Sequence, residues 1–195
     1  MPRKLLVGLP IALLSFFVAR AITRKAATAL SEPGIPDALV TRPWVEQPIG
    51  LSGVAIDVPW RLEGKSVPLP KEIQVTLWAW MGHEAEGLNV MASRVVYAYG
   101  TRTSLDGAAD GVVEYVRRVP GTKAVRNRRT DTRLFGQRAI ELELRIDREK
   151  GDPVVMHAIV VLRGLELIQV MSIAWQELPN GRKAWQRIRD SARVL

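Results

Sequence analysis

RAIELELRIDREKGDPVVMHAIVVLRGLELIQVMSIAWQ, running from Arg138 to Gln176, is the stretch whose reading decides the fold. From Arg138 to Asp147, Ile140, Leu142, Leu144 and Ile146 alternate with Glu141, Glu143, Arg145 and Asp147, the two-residue period of a strand with one buried face and one wet face. Glu149 to Pro153 carries turn residues, and Val154 to Leu162 is then apolar at almost every position, which predicts a central strand covered on both sides. Arg163-Gly164 turns the chain into Leu165 to Trp175, where Leu167, Met171, Ile173 and Trp175 share one face and Ile168, Val170 and Ala174 the other. Three neighbouring antiparallel strands, two of them with no wet face, need cover from two directions.

Upstream, Val54, Ile56 and Val58 alternate with Ala55 and Asp57 up to Pro59-Trp60, a first strand. Glu63 to Lys71, with Pro68 and Pro70, reads as a loop; Ile73 to Met81 is a second strand, and Leu88 to Tyr99 a third. At Ser104 the period changes from 2 to 3.6: Leu105, Ala108, Ala109, Val112, Val116 and Val119 form one stripe, with Ser104 as cap, Asp106 in the first turn, Arg117-Arg118 in the last and Pro120-Gly121 as the stop. Lys123 to Thr132 is a polar strand leading through Leu134-Phe135-Gly136 into the decisive stretch. After Pro179-Asn180-Gly181, the residues Ala184, Trp185, Ile188, Ala192 and Leu195 predict a closing helix. The order β-β-β-α-β-β-β-α predicts an α+β fold, a largely antiparallel six-stranded sheet with helices on both faces, that is, an α/β/α sandwich.

The formal charge of +8 divides unevenly: residues 1–29 hold five Lys/Arg and no acid, so the remaining 23 basic and 20 acidic residues leave the rest only slightly basic. Global charge is therefore no argument for nucleic acid. With no cysteine, disulfides and thiolate metal sites are excluded. Leu5 to Ala19 is a charge-free apolar run between Arg3-Lys4 and Arg20, the pattern of a membrane anchor or an export signal. Its length suits a signal peptide, and Ala19-Arg20-Ala21 and Ala27-Thr28-Ala29 offer small-x-small cleavage patterns. Arg20, Arg24 and Lys25 on the exit side oppose translocation and favour an uncleaved anchor. The division expected is a signal or anchor segment at 1–29, a Pro-rich tether at 30–50 and one domain at 51–195.

With that order in hand, Gly53 to Trp60 resembles the opening strand of the PsbP-like superfamily, ending in Pro and a nearby Trp, with the Gly usual between them missing. Leu105-Asp106-Gly107-Ala108 resembles that superfamily's helix start, Gly136-Gln137-Arg138-Ala139 its G-x-x-A before the next strand, and Ile188-Arg189-Asp190-Ser191 its I-x-x-S near the chain end. The superfamily includes chloroplast PsbP, Ran-binding Mog proteins and bacterial DcrB-type envelope proteins, and the resemblance implies an α/β/α sandwich used for protein binding rather than catalysis.

The residue list offers little to an enzyme. His83 and His157 are isolated in sequence, no H-E-x-x-H, G-x-S-x-G, Walker loop or G-x-G-x-x-G occurs, and Glu141 and Glu143 read as the solvated face of a strand. No metal ligands, catalytic residues or cofactor are expected. Arg117, Arg118, Lys123, Arg126, Arg128, Arg129 and Arg133, with Arg138 beyond, are opposed within their own stretch only by Asp131; they form a candidate patch for lipid headgroups or an acidic protein, or else an edge strand kept soluble by charge. Without interleaved aromatics they do not suit nucleic acid. Trp78 and Trp80 share the second face of their strand, as core or as the wall of a groove; Trp60, Trp175 and Trp185 are expected in the core.

The function expected is a non-catalytic, membrane-anchored binding or assembly module of the bacterial cell envelope, its domain outside the cytoplasm and its partner a protein. The alternatives are an exported soluble protein of the same fold that binds a small ligand or metal, and an anchored adaptor facing the cytoplasm. Full-length protein should stay in the membrane fraction through carbonate extraction; a mature N-terminus at Ile22 or Leu30 by mass spectrometry would replace the anchor with a cleaved signal.

Overall fold

The computed structural model describes residues 35, 37–65, 75–81, 87–174 and 179–195, and of these the backbone alone at 65, 75–81 and 179. The run Leu5 to Ala19, His83 and Trp175 lie outside the described residues. The elements in order are α1 (Asp37–Thr41), β1 (Val45–Pro48), β2 (Val54–Val58), β3 (Glu63–Lys65), β4 (Val75–Met81), β5 (Leu88–Tyr97), α2 (Leu105–Arg118), β6 (Thr122–Leu134), β7 (Gln137–Arg148), β8 (Val154–Arg163), β9 (Glu166–Ala174), α3 (Pro179–Asp190) and β10 (Arg193–Val194). Strands β3-β4-β5-β9-β8-β7-β6 make one sheet in that order, with antiparallel pairing throughout, and β1-β2-β10 a second, small one.

Strand β8 behaves as its composition dictates: every residue from Val154 to Val161 is buried. Its Met156, Ala158 and Val160 join Leu142, Leu144 and Ile146 of β7 and Leu167 and Met171 of β9 beneath α2. On the other face Ile159 and Val161, with Ile168 and Val170 of β9, pack under Trp185 and Ile188 of α3 and Ile56 and Val58 of β2. Each face thus receives a helix because neither can be left to water. Helix α2 starts where Ser104 Oγ accepts the Gly107 amide at 3.0 Å, with Asp106 in its first turn and Arg117 and Arg118 in its last. The two-residue turn from β6 to β7 places Phe135 and Gly136 at φ 53° and 72°. This left-handed pair matches the twist of a hairpin, and the Phe135 ring packs against the α3-side core.

Three expectations need correction. The four runs after the helix that read as strands are all strands, one more than the order β-β-β-α-β-β-β-α counts; Val54–Val58 leaves for the small sheet, and Glu63–Lys65 pairs with β4 instead of looping, so the expected six-stranded sheet has seven strands. Part of the expected tether, 30–50, is built into the domain: Ile35, Leu39 and Ile49 are buried, and β1 pairs with β2. What holds it is distant in sequence, since Arg187 donates to the carbonyls of Val40 (2.7 Å) and Arg42 (3.1 Å) and lies 4.3 Å over the Trp44 ring. The closing helix stops at Asp190, and Arg193–Val194 pairs with β2, leaving Leu195 exposed instead of in the helical stripe. Among the described residues no helix is long and apolar enough to cross a membrane.

The two-residue alternation of β7 gives a direct check. Leu144→Ala, fully buried under α2, should cost about 2–5 kcal/mol in urea unfolding, whereas Arg145→Ala, its exposed neighbour, should stay within about 0.5 kcal/mol. Similar costs for the two would mean that the faces are assigned wrongly.

Candidate functional site

Antiparallel register brings together side chains far apart in sequence. Arg128 of β6 lies opposite Glu143 of β7, Glu143 opposite His157 of β8, and Thr130 opposite Glu141. All of these point to the face that carries α3. Across them α3 presents Arg182, Trp185, Gln186 and Arg189, spaced i, i+3, i+4 and i+7 and therefore on one side of the helix. The two sets line a cleft of about 340 Å³.

The cleft is built around Trp185. Its indole is only 2% exposed, and its Nε1–H donates to Glu141 Oε1 at 2.6 Å, which satisfies a polar tip that burial would otherwise penalise. His157, itself buried, stacks parallel to the indole with ring centroids 5.7 Å apart. Arg189 reaches the second oxygen of Glu141 at 3.5 Å. The Arg189 guanidinium is raised above its ordinary pKa, mainly by its hydrogen bond to Asp190 and further by the Glu141 charge. Both Glu141 oxygens are therefore engaged. Arg182 meets Glu143 at 3.9 Å, the outer limit of an ion pair, and Arg128 is exposed with no ion-pair partner among the described residues.

Glu141 and Glu143, expected on a solvated strand face, are thus partly covered by α3. Their alternation with leucines reports only that they avoid the apolar core, and a polar face under a polar helix gives the same pattern as a wet one. The sequence reading missed Arg182, Gln186 and Arg189 as lining residues. The available signal was the seven-residue spacing of two arginines about Trp185.

The expected basic patch is divided by the pleat of β6. Arg129 turns toward α2, where it pairs with Asp106 and, at 3.1 Å, with Asp110; Arg138 pairs with Asp131 at 2.7 Å and Asp106 at 3.2 Å. Arg133, opposite Arg138, belongs to that side. Arg126 and Arg128 are on the α3 side, Arg126 bound to Asp147 at 3.0 Å. Arg117 pairs with Glu114 one turn earlier in α2, while Arg118 and Lys123 are exposed. Asp106, Asp110 and Asp147, which pair with the arginines of β6, come from other elements, so the run's chain-order charge overstates any single surface. Hydrogen bonds and charge from Arg138, then Arg129, hold the Asp106 carboxyl below its ordinary value. A depressed carboxylate stabilises the fold above its unfolded pKa, and that contribution fades as pH falls through the native value. Trp78 and Trp80 lie opposite Arg94 and Ala92 by backbone register, and their side chains lie outside the described residues. Among the described residues no group of three or more His, Asp or Glu is placed to hold a metal.

No family model and no curated protein sequence matches the chain. Solved structures do. The cyanobacterial PsbP, CyanoP, of Synechocystis sp. PCC 6803 matches at 12% identity over 87% of this chain and 97% of that chain, with a TM-score of 0.55. LpqN, a protein involved in cell envelope biogenesis of Mycobacterium tuberculosis, matches at 13% identity over 83% and 96% with a TM-score of 0.46. PA94, a Pseudomonas aeruginosa protein of unknown function, matches at 15% identity over 74% and 92% with a TM-score of 0.42. The fold is PsbP-like, as the motifs at Gly53, Gly136 and Ile188 imply.

If Glu141 is the fixed centre of the cleft, Glu141→Ala should cost about 1–3 kcal/mol in urea unfolding, because it leaves the buried indole N–H without its acceptor. Glu141→Gln should recover most of the loss, and Glu143→Ala should change stability by no more than about 0.5 kcal/mol. Equal effects at 141 and 143 would contradict the assignment.

Proposed function

We propose that the chain is a non-catalytic binding or assembly module of the bacterial cell envelope, anchored through Leu5 to Ala19, that holds an acidic segment of a protein partner in the cleft beneath α3. One observation carries this reading. The buried-side carboxylate of the cleft, Glu141, is committed to Trp185 and Arg189, while Arg128 on the cleft wall is an exposed cation with no ion-pair partner among the described residues. A hydrolytic centre needs a free base near a reacting atom; a docking site for carboxylates needs accessible guanidinium groups on a rigid wall. The sheet and α3 supply that wall. His157 is held against the indole and is buried, which suits packing better than proton shuttling.

The cleft volume also lies within the range of about 300–1,000 Å³ usual for small-molecule pockets, which favours the exported small-ligand binder as the second reading. The two differ in what reaches Gln186 at the rim. A photo-crosslinking residue at Gln186 in the full chain in cells should give one discrete protein adduct, and Arg128→Glu with Arg182→Glu should abolish it while the protein level is unchanged. A label that yields no protein adduct would overturn the proposal in favour of a small ligand.

A further inference from the structure

We propose that the end of the domain at which the chain arrives from its N-terminal segment is a docking surface for anionic lipid headgroups. The inference rests on the anchoring part of the proposed function and adds an orientation to it.

The position of that end follows from a series of contacts. Asn180 donates to the Ile35 carbonyl at 2.9 Å, and a Cβ on Gly181 would lie 3.4 Å from Ile35 Cδ1 and 3.3 Å from Ala174 Cβ. Ala174 pairs with Val155, Val155 with Arg145 and Arg145 with Arg126. The Glu149 amide donates to the Gly121 carbonyl at 2.9 Å, which joins the turn between β7 and β8 to the turn that follows α2. The start of α3, the end of β9, the C-terminus of α2, the beginning of β6 and the β7–β8 turn therefore share one end of the fold with Ile35.

At this end Arg118, Lys123, Lys150 and Lys183 are exposed and have no ion-pair partner among the described residues; Glu149 and Asp37 are exposed acids in the same condition, Asp37 accepting from Asn180 at 2.9 Å, and Asp152 in the β7–β8 turn is exposed but engaged, so the basic groups outnumber the acids. The four basic groups come from α2, β6, the β7–β8 turn and α3, so only folding gathers them. The opposite end has fewer such groups: Arg102 and Arg133 are exposed there without an ion-pair partner among the described residues, whereas Arg138 is paired with Asp131 and Asp106, and Arg163 and Arg94 with Glu166. Tyr99, fully exposed, marks that far end, two residues beyond the Tyr97 amide that donates to Leu165.

An unpaired basic side chain at an anionic leaflet adds about fivefold to partitioning. The 15 residues from Arg20 to Gly34 span at most about 50 Å, so an anchored domain stays within reach of the headgroups and weak contacts suffice. Lysines, three of the four, are compact point charges suited to a diffuse anionic surface rather than to one bidentate partner.

The absence of cysteine makes single-cysteine labels unique. The full chain, carrying a fluorophore at Ala124→Cys on the near end or Tyr99→Cys on the far end, is reconstituted into phosphatidylcholine vesicles with or without phosphatidylglycerol and a headgroup quencher. Quenching at 124 should exceed that at 99 by about fivefold or more in the anionic vesicles, and should fall in pure phosphatidylcholine, in high salt, and in the Arg118→Glu, Lys123→Glu, Lys150→Glu, Lys183→Glu variant. The wild-type lipid and salt arms stand without that variant. Vesicle flotation with equal quenching at both positions, or quenching at 124 indifferent to lipid charge, overturns the docking surface alone. A chain that does not float with the vesicles overturns the anchor and the docking surface together.

Discussion

The structure depends on strand β8 having no wet face. Eight consecutive buried residues at the middle of the sheet must be sealed from both directions, and the two seals are unlike each other. On one side a single helix, α2, lies on the leucine and isoleucine face of β7 and the matching face of β8. On the other, α3 alone is too short to finish the work, and α1, β2 and their flanking residues Trp44, Ile49 and Leu62 complete it. The chain from Asp37 to Pro48 is built into the domain because that face needs cover, and Arg187 fastens it by binding two carbonyls that no strand or helix would otherwise satisfy.

The uneven seal is also what produces the cleft. Helix α3 covers β8 and β9 with Trp185 and Ile188 but overhangs β6 and β7, where the strand face is polar. A wide apolar contact there would need leucines on β7 where Glu141 and Glu143 stand. The helix instead meets the sheet through the indole hydrogen bond to Glu141 and through Arg182 and Arg189, leaving space between them. That space follows from the geometry of the cover, and the exposed Arg128 on its wall is the group on which the proposed carboxylate docking rests.

Local pattern revealed the parts of the fold that depend on local pattern. The two faces of β9, the apolar run of β8 and the cap and stripe of α2 are all as the alternation and the 3.6-residue period require. Glu141 and Glu143 were not legible as a cleft wall, since a two-residue period separates core from not-core and says nothing about a helix arriving from 40 residues away. Val54–Val58 read correctly as a strand and wrongly as part of the main sheet, because pairing partners are not written in a single strand. Ser191 shows how a short motif can carry such non-local information: its hydroxyl accepts the Asp57 amide at 2.8 Å and donates to the Ile188 carbonyl at 2.7 Å, so the I-x-x-S pattern ties the helix end to β2.

The central claim is that the cleft against Trp185 receives carboxylates. The most direct measurement is the set of indole N–H resonances of the ¹⁵N-labelled full chain in detergent micelles, titrated with a short glutamate-rich peptide. The Trp185 resonance, set by its hydrogen bond to Glu141, should shift saturably while that of Trp60 stays fixed, and Arg128→Glu should remove the shift. A Trp185 resonance that does not move, or six indoles that drift together, would contradict the account.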